Sequence, residues 1–380
     1  MKWSWKIGSF VGLKIYLHAT FLLLLGWIAL THWLQYETLI PTLVGVAFTL
    51  AIFGCVLLHE YGHALTARRF GIGTKDITLL PIGGLARLER MPEKPSQELW
   101  VALAGPAVNV VIAVVLGTYL FLTGHFEPVS RIGLTHGLFL ERMLFANLFI
   151  AGFNLIPAFP MDGGRVLRAL LAKRMDYAQA TRTAANVGQG AAFVLGFLGL
   201  FFNPFLVFIA LFVWIGAGQE AAMTETKSAL RSVRARDAMI PEFRTLSPRD
   251  ELSKALRLAL GGWQQDFPVV DQGRVVGMLL RADTMGRVAH GDVHSLVERA
   301  MRADFPVASP LEPLESIFSR LHETEVSTVP IVENGRLLGL VTLATLTEQV
   351  IVRAALSKAE MNGGSPIQPD VLAVPERLKS

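Results

Sequence analysis

Two histidines four residues apart with a glutamate between them, His59-Glu60-Tyr61-Gly62-His63, are the residues of this chain best suited to chemistry. On a helix, positions i and i+4 share a face and stand about 6 Å apart along the axis, so both imidazoles can reach one ion. Glu60, beside one of them, can then take a proton from water as a general base, the working arrangement of His-Glu-x-x-His zinc sites. Catalytic zinc usually takes three protein ligands and keeps a position open. Asp162 offers the third, in Asn154-Leu-Ile-Pro157-Ala-Phe-Pro160-Met161-Asp162-Gly163-Gly164. Pro157 and Pro160 interrupt a helix there, and the two glycines permit a close approach that turns the carboxylate inward. Asp162 could also serve as the N-cap of a helix over 163–171, and the two duties are compatible.

The elements that must carry these residues are apolar. Of 380 residues 52% are apolar and 17% charged, where soluble domains carry roughly 25%. The deficit is local: residues 1–222 hold 16 Lys/Arg and 11 Asp/Glu, against 19 and 20 in residues 223–380. The front half has the composition of a membrane domain and the back half that of a soluble one. Uncharged runs cover Ile15–Tyr36, Thr38–His59, Leu99–Gly124, Met143–Met161 and Thr183–Gln219. A spanning helix needs about 20 apolar residues, and the last run, broken by Asn203-Pro204, is long enough for two. Six spans are expected over 1–222, the first retained rather than cleaved because its apolar stretch is too long for a signal core and no Ala-x-Ala site follows. His59, Glu60, His63 and Asp162 then share one end of the membrane domain. Loops on that side hold eleven Lys/Arg, among them Arg68, Arg69, Lys173 and Arg174, whereas the opposite loops hold Arg131, with Arg142 at a span edge. The positive-inside rule puts both termini, the soluble part and the histidine motif toward the cytoplasm. A Glu and two His at the end of an apolar run are costly in lipid unless they face a protein-lined, wetted cavity.

The soluble part repeats itself. Phe267-Pro-Val-Val-Asp-Gln-Gly-Arg-Val-Val-Gly277 returns 62 residues later as Val329-Pro-Ile-Val-Glu-Asn-Gly-Arg-Leu-Leu-Gly339, and Ala238-Met239 returns as Ala300-Met301. Each unit reads as a helix (around Leu252–Leu260 and Leu314–Leu321), a strand, a Gly turn, a strand and a closing helix. The Gly/Pro-containing tail, 358–380, reads as disordered. No dense basic run points to nucleic acid, and a single cysteine, Cys55, excludes an internal disulfide or a Cys-rich zinc module.

The repeat resembles a pair of CBS domains, assigned here to 235–290 and 297–352. His-Glu-x-x-His followed by Asn-x-x-Pro-x-x-x-x-Asp-Gly-Gly resembles the site-2 proteases, intramembrane zinc metalloproteases, in the subgroup that carries such a tandem. The resemblance implies a polytopic α-helical membrane domain followed by a soluble α/β CBS module. It implies one zinc on His59, His63 and Asp162, Glu60 as base, Asn154 near the substrate carbonyl, and a transmembrane protein segment as substrate. Leu103-Ala-Gly105-Pro106-Ala-Val-Asn109 is also similar to a family signature, with helix packing by small residues as its alternative meaning. Residues 71–88 read as a re-entrant segment or β-ribbon, which the resemblance suggests can offer an edge to unwound substrate; an ordinary amphipathic loop is the alternative. CBS pairs often bind adenosine nucleotides and dimerise. Their Ser/Thr-x-x-Asp step is split here, Leu280-Arg-Ala-Asp283 in one unit and Thr342-Leu-Ala-Thr345 in the other, so Asp283, Thr342 and Thr345 are the nucleotide candidates. A CBS-regulated transporter would explain the membrane and the tail but not the catalytic spacing, and an inactive zinc-binding relative would have little use for Glu60.

Overall fold

The computed structural model describes residues 3–90, 92, 94–124, 138–324 and 326–361. The chain divides into two compact units, Met1–Ala222 and Met223–Ser380.

The first unit opens on a sheet the composition did not foretell. Strands β1 (Ser4–Phe10) and β2 (Leu13–His18) form a hairpin, so the first apolar run begins as a strand and becomes helical only at α1 (Ala19–Tyr36), where His18 Nδ1 accepts from the Thr20 amide. Residues 71–88 form a β-ribbon, β3 (Thr74–Leu80) and β4 (Gly83–Leu88). β3 pairs parallel to β2, giving the order β1-β2-β3-β4 with β1 and β4 as edges. Between β2 and β3 run α1 and the 31-residue α2 (Leu39–Arg69), which carries the histidine motif. Tyr61, inside the motif, seats α2 on the sheet: it packs with Leu13, Ala64 and Ile77, and its hydroxyl donates to the Phe10 carbonyl.

The remaining helices are α3 (Pro95–Leu122), α4 (Phe139–Asn154), α5 (Asp162–Leu171), α6 (Tyr177–Phe201) and α7 (Pro204–Arg231). Among the described residues α1, α2, α3, α6 and α7 are long and apolar enough to cross a bilayer. Their outward side chains are apolar, for example Trp27 and Leu34 on α1 and Val111, Val114 and Val115 on α3. The fourth run differs from a plain span: α4 has 16 residues and stops at Asn154, ahead of Pro157, and residues 155–161 fold back over the start of α5. The fold-back needs glycine, because a Cβ on Gly163 would lie 2.2 Å from the Ile156 carbonyl oxygen. Asn203 and Pro204 break the fifth run between α6 and α7 as expected. A buried ion cluster ties this half together: Arg168 on α5 donates to Glu98 on α3 and Glu220 on α7 and lies 5.0 Å from the Phe159 and Tyr177 ring centres. Arg131, counted on the side opposite the motif, lies outside the described residues.

In the second unit a short lead-in helix, α8 (Ala235–Ala238), precedes two like units: α9 (Leu252–Leu260), β5 (Phe267–Asp271), β6 (Arg274–Leu279), α10 (Arg281–Ala289), then α11 (Leu314–Thr324), β7 (Thr328–Glu333), β8 (Arg336–Thr342), α12 (Leu343–Met361). Both hairpins turn on two residues of positive φ, Gln272-Gly273 and Asn334-Gly335, the tight turn whose twist suits antiparallel strands. The lead-ins cross over. Ile240, ahead of the first unit, pairs with Leu340 on β8, and Arg302, ahead of the second, pairs with Met278 on β6. Each crossing sets a methionine on a glycine: a Cβ on Gly277 would meet Met301 Sδ at 2.6 Å, and one on Gly339 would meet Met239 Sδ at 2.8 Å. This is why Ala-Met and the strand glycine recur at one spacing. Of the tail expected to be disordered, residues 358–361 continue α12, and 362–380 lie outside the described residues.

Candidate metal centre

α2 brings His59 and His63 to one face, and the fold-back after α4 delivers Asp162 as the first residue of α5, with Met161 at the cap position. Asp162 therefore does not cap its helix. His59 Nε2 lies 3.0 Å from His63 Nε2, and each lies 3.1 Å from Asp162 Oδ2. All three residues are buried, and among the described residues they are the one His/Cys/Asp/Glu group found with ligand atoms so close together. Ligands bound tetrahedrally at about 2.0–2.1 Å stand roughly 3.3 Å apart, so the triangle has the dimensions of a single-ion site.

The hydrogen bonds behind the triangle agree. His63 Nδ1 is 2.7 Å from the Val101 carbonyl, which only accepts, so the ring hydrogen sits on Nδ1 and the Nε2 lone pair faces the centre. His59 Nδ1 is 2.6 Å from Asn109 Oδ1, and Asn109 Nδ2 is 2.9 Å from Asn147 Oδ1. With one hydrogen on each ring, three electron-rich atoms confront one another, and a divalent cation would satisfy all three at once. The signature in α3 now has two distinct uses. Asn109 meets His59, and Gly105 leaves room for the two imidazoles, because a Cβ there would lie 2.2 Å from His63 Nε2 and 2.6 Å from His59 Nε2. Pro106, which cannot donate to the Ala102 carbonyl, opens the helical ladder at the same level.

Glu60 is half-buried on the next position of α2, and its Oε2 accepts from the Ala86 amide of β4 at 3.1 Å. Gly84 lies against it: a Cβ there would meet Glu60 Cγ at 2.5 Å. Asn154 ends α4 with its amide donating to the Ile150 carbonyl, so that contact does not join it to the triangle. Cys55 lies off the centre, where its Sγ receives Asn147 Nδ2 at 3.4 Å. Asn147, Val101 and Gly84 were not anticipated. An asparagine inside an uncharged run is the signal that could have found Asn147, since an amide in an apolar helix must be partnered.

The nucleotide candidates lie in the second unit. Arg302 grips Asp283 in a two-pronged ion pair at 2.7 and 2.9 Å and lines a cavity of about 280 Å³ with Asp304, Phe305 and Thr324. Thr342 lines a second cavity of about 310 Å³ with Trp263, Asp266 and Arg281. The hydroxyls of Thr342 and Thr345 are engaged with each other's amides, capping α12.

Residues 47–198 match Peptidase family M50, and residues 235–290 and 296–351 each match the CBS domain. Zinc metalloprotease MJ0392 of Methanocaldococcus jannaschii is 32% identical over 344 residues, 90% of this chain and 94% of that protein. The chain belongs to peptidase family M50, the site-2 proteases. Stage IV sporulation protein FB of Bacillus subtilis is 31% identical over 150 residues, 39% of this chain and 49% of that protein. The solved site-2 protease from Methanocaldococcus jannaschii is 36% identical, with a TM-score of 0.43, covering 58% of this chain and 95% of that one. M50 membership and the five long apolar helices found among the described residues make this a membrane protein, with an M50 domain followed by a CBS tandem.

Proposed function

We propose that the protein is a zinc-dependent intramembrane endopeptidase that cleaves a peptide bond in or beside a transmembrane segment of another protein, on the cytoplasmic side. The observation that carries this is the buried triangle of His59, His63 and Asp162 beside Glu60. These three residues would hold the ion. Bound there, zinc polarises a carbonyl and lowers the pKa of water toward about 7.

The chain's own residues do the rest. Glu60 Oε2 is tied to the Ala86 amide, which leaves Oε1 to take a proton from the attacking water and pass it to the leaving amine as the C–N bond breaks. Since Ala86 gives its N–H to Glu60, that N–H points away from β3, along the free edge of β4. A substrate laid along this edge runs past the base, with its carbonyls exposed for attack once its helix has unwound. Asn154 assists at the substrate oxygen after releasing Ile150. The tandem modulates activity by binding an adenosine nucleotide, with Thr342 and Arg302 marking the two cavities in which to seek it.

The test is cleavage of a single-pass substrate by purified protein, with zinc determined by elemental analysis. About one zinc per chain is expected from the three-ligand pattern, lost in His59→Ala and Asp162→Ala and kept in inactive Glu60→Gln. Full activity in Glu60→Gln overturns the assignment. Calorimetric titration of the full chain with AMP, ADP and ATP tests the nucleotide reading.

A further inference from the structure

We infer that Asn147 and Asn109 form a positioning relay that decides which nitrogen of His59 carries its hydrogen, and thereby sets the chain's hold on a metal ion. This rests on the metal reading above.

Taken alone, the contact between His59 Nδ1 and the Asn109 amide is ambiguous. An amide can turn either its oxygen or its nitrogen to a ring nitrogen, and an imidazole can accept or donate. The polarity is settled at the far end of the chain of contacts. On α4 the Met143 carbonyl lies 2.9 Å from the Asn147 amide group, and a carbonyl only accepts, so nitrogen must face it. The second hydrogen of that nitrogen points to Cys55 Sγ. Asn147 Oδ1 is thereby turned to α3, where it accepts from Asn109 Nδ2 at 2.9 Å. Asn109 Oδ1 is left facing His59 Nδ1 at 2.6 Å, and His59 must donate. Only then is its Nε2 lone pair free for the centre. Both asparagines have no exposed surface, so no solvent competes for these bonds.

His63 needs no such device, because a backbone carbonyl holds it directly. His59 is held by a side chain that could flip, and the group preventing the flip, Asn147, shares no hydrogen bond with either histidine. A carbonyl of α4 thus dictates, through α3, the state of a ring on α2. Removing Asn147 lets Asn109 rotate, present nitrogen to His59 and place the hydrogen on Nε2, where it blocks ligation. A residue serving only as packing would give no such effect.

The experiment measures the zinc dissociation constant of the full-length protein in detergent, by competition with a chromogenic chelator, together with the visible spectrum of the cobalt-loaded protein and a far-ultraviolet check of helix content. Asn147→Leu should weaken zinc by about 10–100-fold, the usual range for loss of a group that orients a ligand histidine, at unchanged helix content, and alter the cobalt spectrum. Adding Asn109→Asp to Asn147→Leu should restore affinity to within about threefold, because a carboxylate accepts from His59 in either orientation. If Asn147→Leu does not fold, Asn147→Ala takes its place in both measurements, and Asn109→Leu against Asn109→Asp makes the same contrast at the nearer link. Unchanged affinity in the Asn147 variants, or no recovery with Asn109→Asp, overturns the relay. Failure of the metal reading looks different: wild type and Asp162→Ala would then bind zinc alike.

Discussion

Glu60 Oε2 and the Ala86 amide are joined by a 3.1 Å hydrogen bond, so the proposed base is anchored to the free edge of β4. The strand that would receive substrate also aims the carboxylate that would act on it. On that proposal a shift of β4 would change binding and proton transfer together.

Gly84→Ala checks that link. The added methyl would start 2.5 Å from Glu60 Cγ and must push the carboxylate aside, while the metal ligands lie on other residues. Zinc content should stay at the wild-type level and kcat should fall by about 100-fold, the scale of a misplacement near 1 Å. Parallel elemental and peptidase assays decide it, and full activity would show that Glu60 does not depend on β4.

Gly105→Ala should behave in the opposite way. Its Cβ would lie within 2.6 Å of both Nε2 atoms, so the ligands cannot keep their triangle. Zinc affinity is expected to drop by at least about 10-fold, the scale on which disturbed ligand orientation acts, and activity with it. Chelator competition reads the first and cleavage the second.

Arg168→Met probes the buried ion cluster. It strands Glu98, which is almost wholly buried, without its guanidinium partner, a defect of about 3–5 kcal/mol. The membrane unit should melt at lower temperature in detergent, and Arg168→Met combined with Glu98→Leu should recover a substantial part of the loss. A double variant no more stable than the single one would argue against an unpaired charge as the cause.

In the tandem, Asp266 accepts from the Arg281 amide and from the hydroxyls of Ser327 and Thr328, joining one repeat to the other. Asp266→Ala leaves those donors without their acceptor and should cost about 2–3 kcal/mol, measured by urea denaturation of residues 223–380. Ser327→Ala, which removes one donor and leaves the carboxylate with others, should cost less.

The same fragment is expected to show a small acid dependence. Burial would raise the Asp250 carboxyl, but Lys254 and the Ser247 amide outweigh it and hold it below the usual carboxylate range. A depressed folded pKa adds stability above the unfolded value near 4, and that stability is lost as pH falls through the folded one. Because the pair is partly exposed, Lys254→Met should narrow the difference between pH 7 and pH 3 by only about 0.5 kcal/mol. Equal pH profiles would mean the pair is inert.

Much of this was legible in the residues. His59, Glu60, His63 and Asp162 stood out because the chemistry proposed for them needs a fixed spacing and a break in a helix, both visible as letters, and the structure brings His59, His63 and Asp162 together. The 62-residue repeat was visible because the same turn and the same glycine–methionine contact are made twice. The β1–β2 hairpin escaped notice because Ile15, Tyr16 and Leu17 extend an apolar run, and hydropathy does not separate a strand beside a membrane helix from the helix itself. Asn147 escaped because its role depends on Met143, Asn109 and His59 meeting from three helices, and no local pattern records such a meeting. The shortness of α4 was half visible: Pro157 and Pro160 announced a break, but that the chain doubles back at Leu155 depends on Gly163 and Gly164 packing beneath it.

The crossed lead-ins of the tandem make its two halves inseparable. Ile240 and Arg302 each complete the sheet of the other repeat, so a cut between the repeats leaves β6 and β8 with unpaired backbone edges and strips Met301 and Met239 from the glycines they cover. Such edges are templates for association with other chains. A fragment ending after the first repeat is therefore expected to aggregate or to borrow a second copy, and the border at which this half of the protein can be divided lies before residue 235, never at the midpoint that the repeat in its sequence suggests.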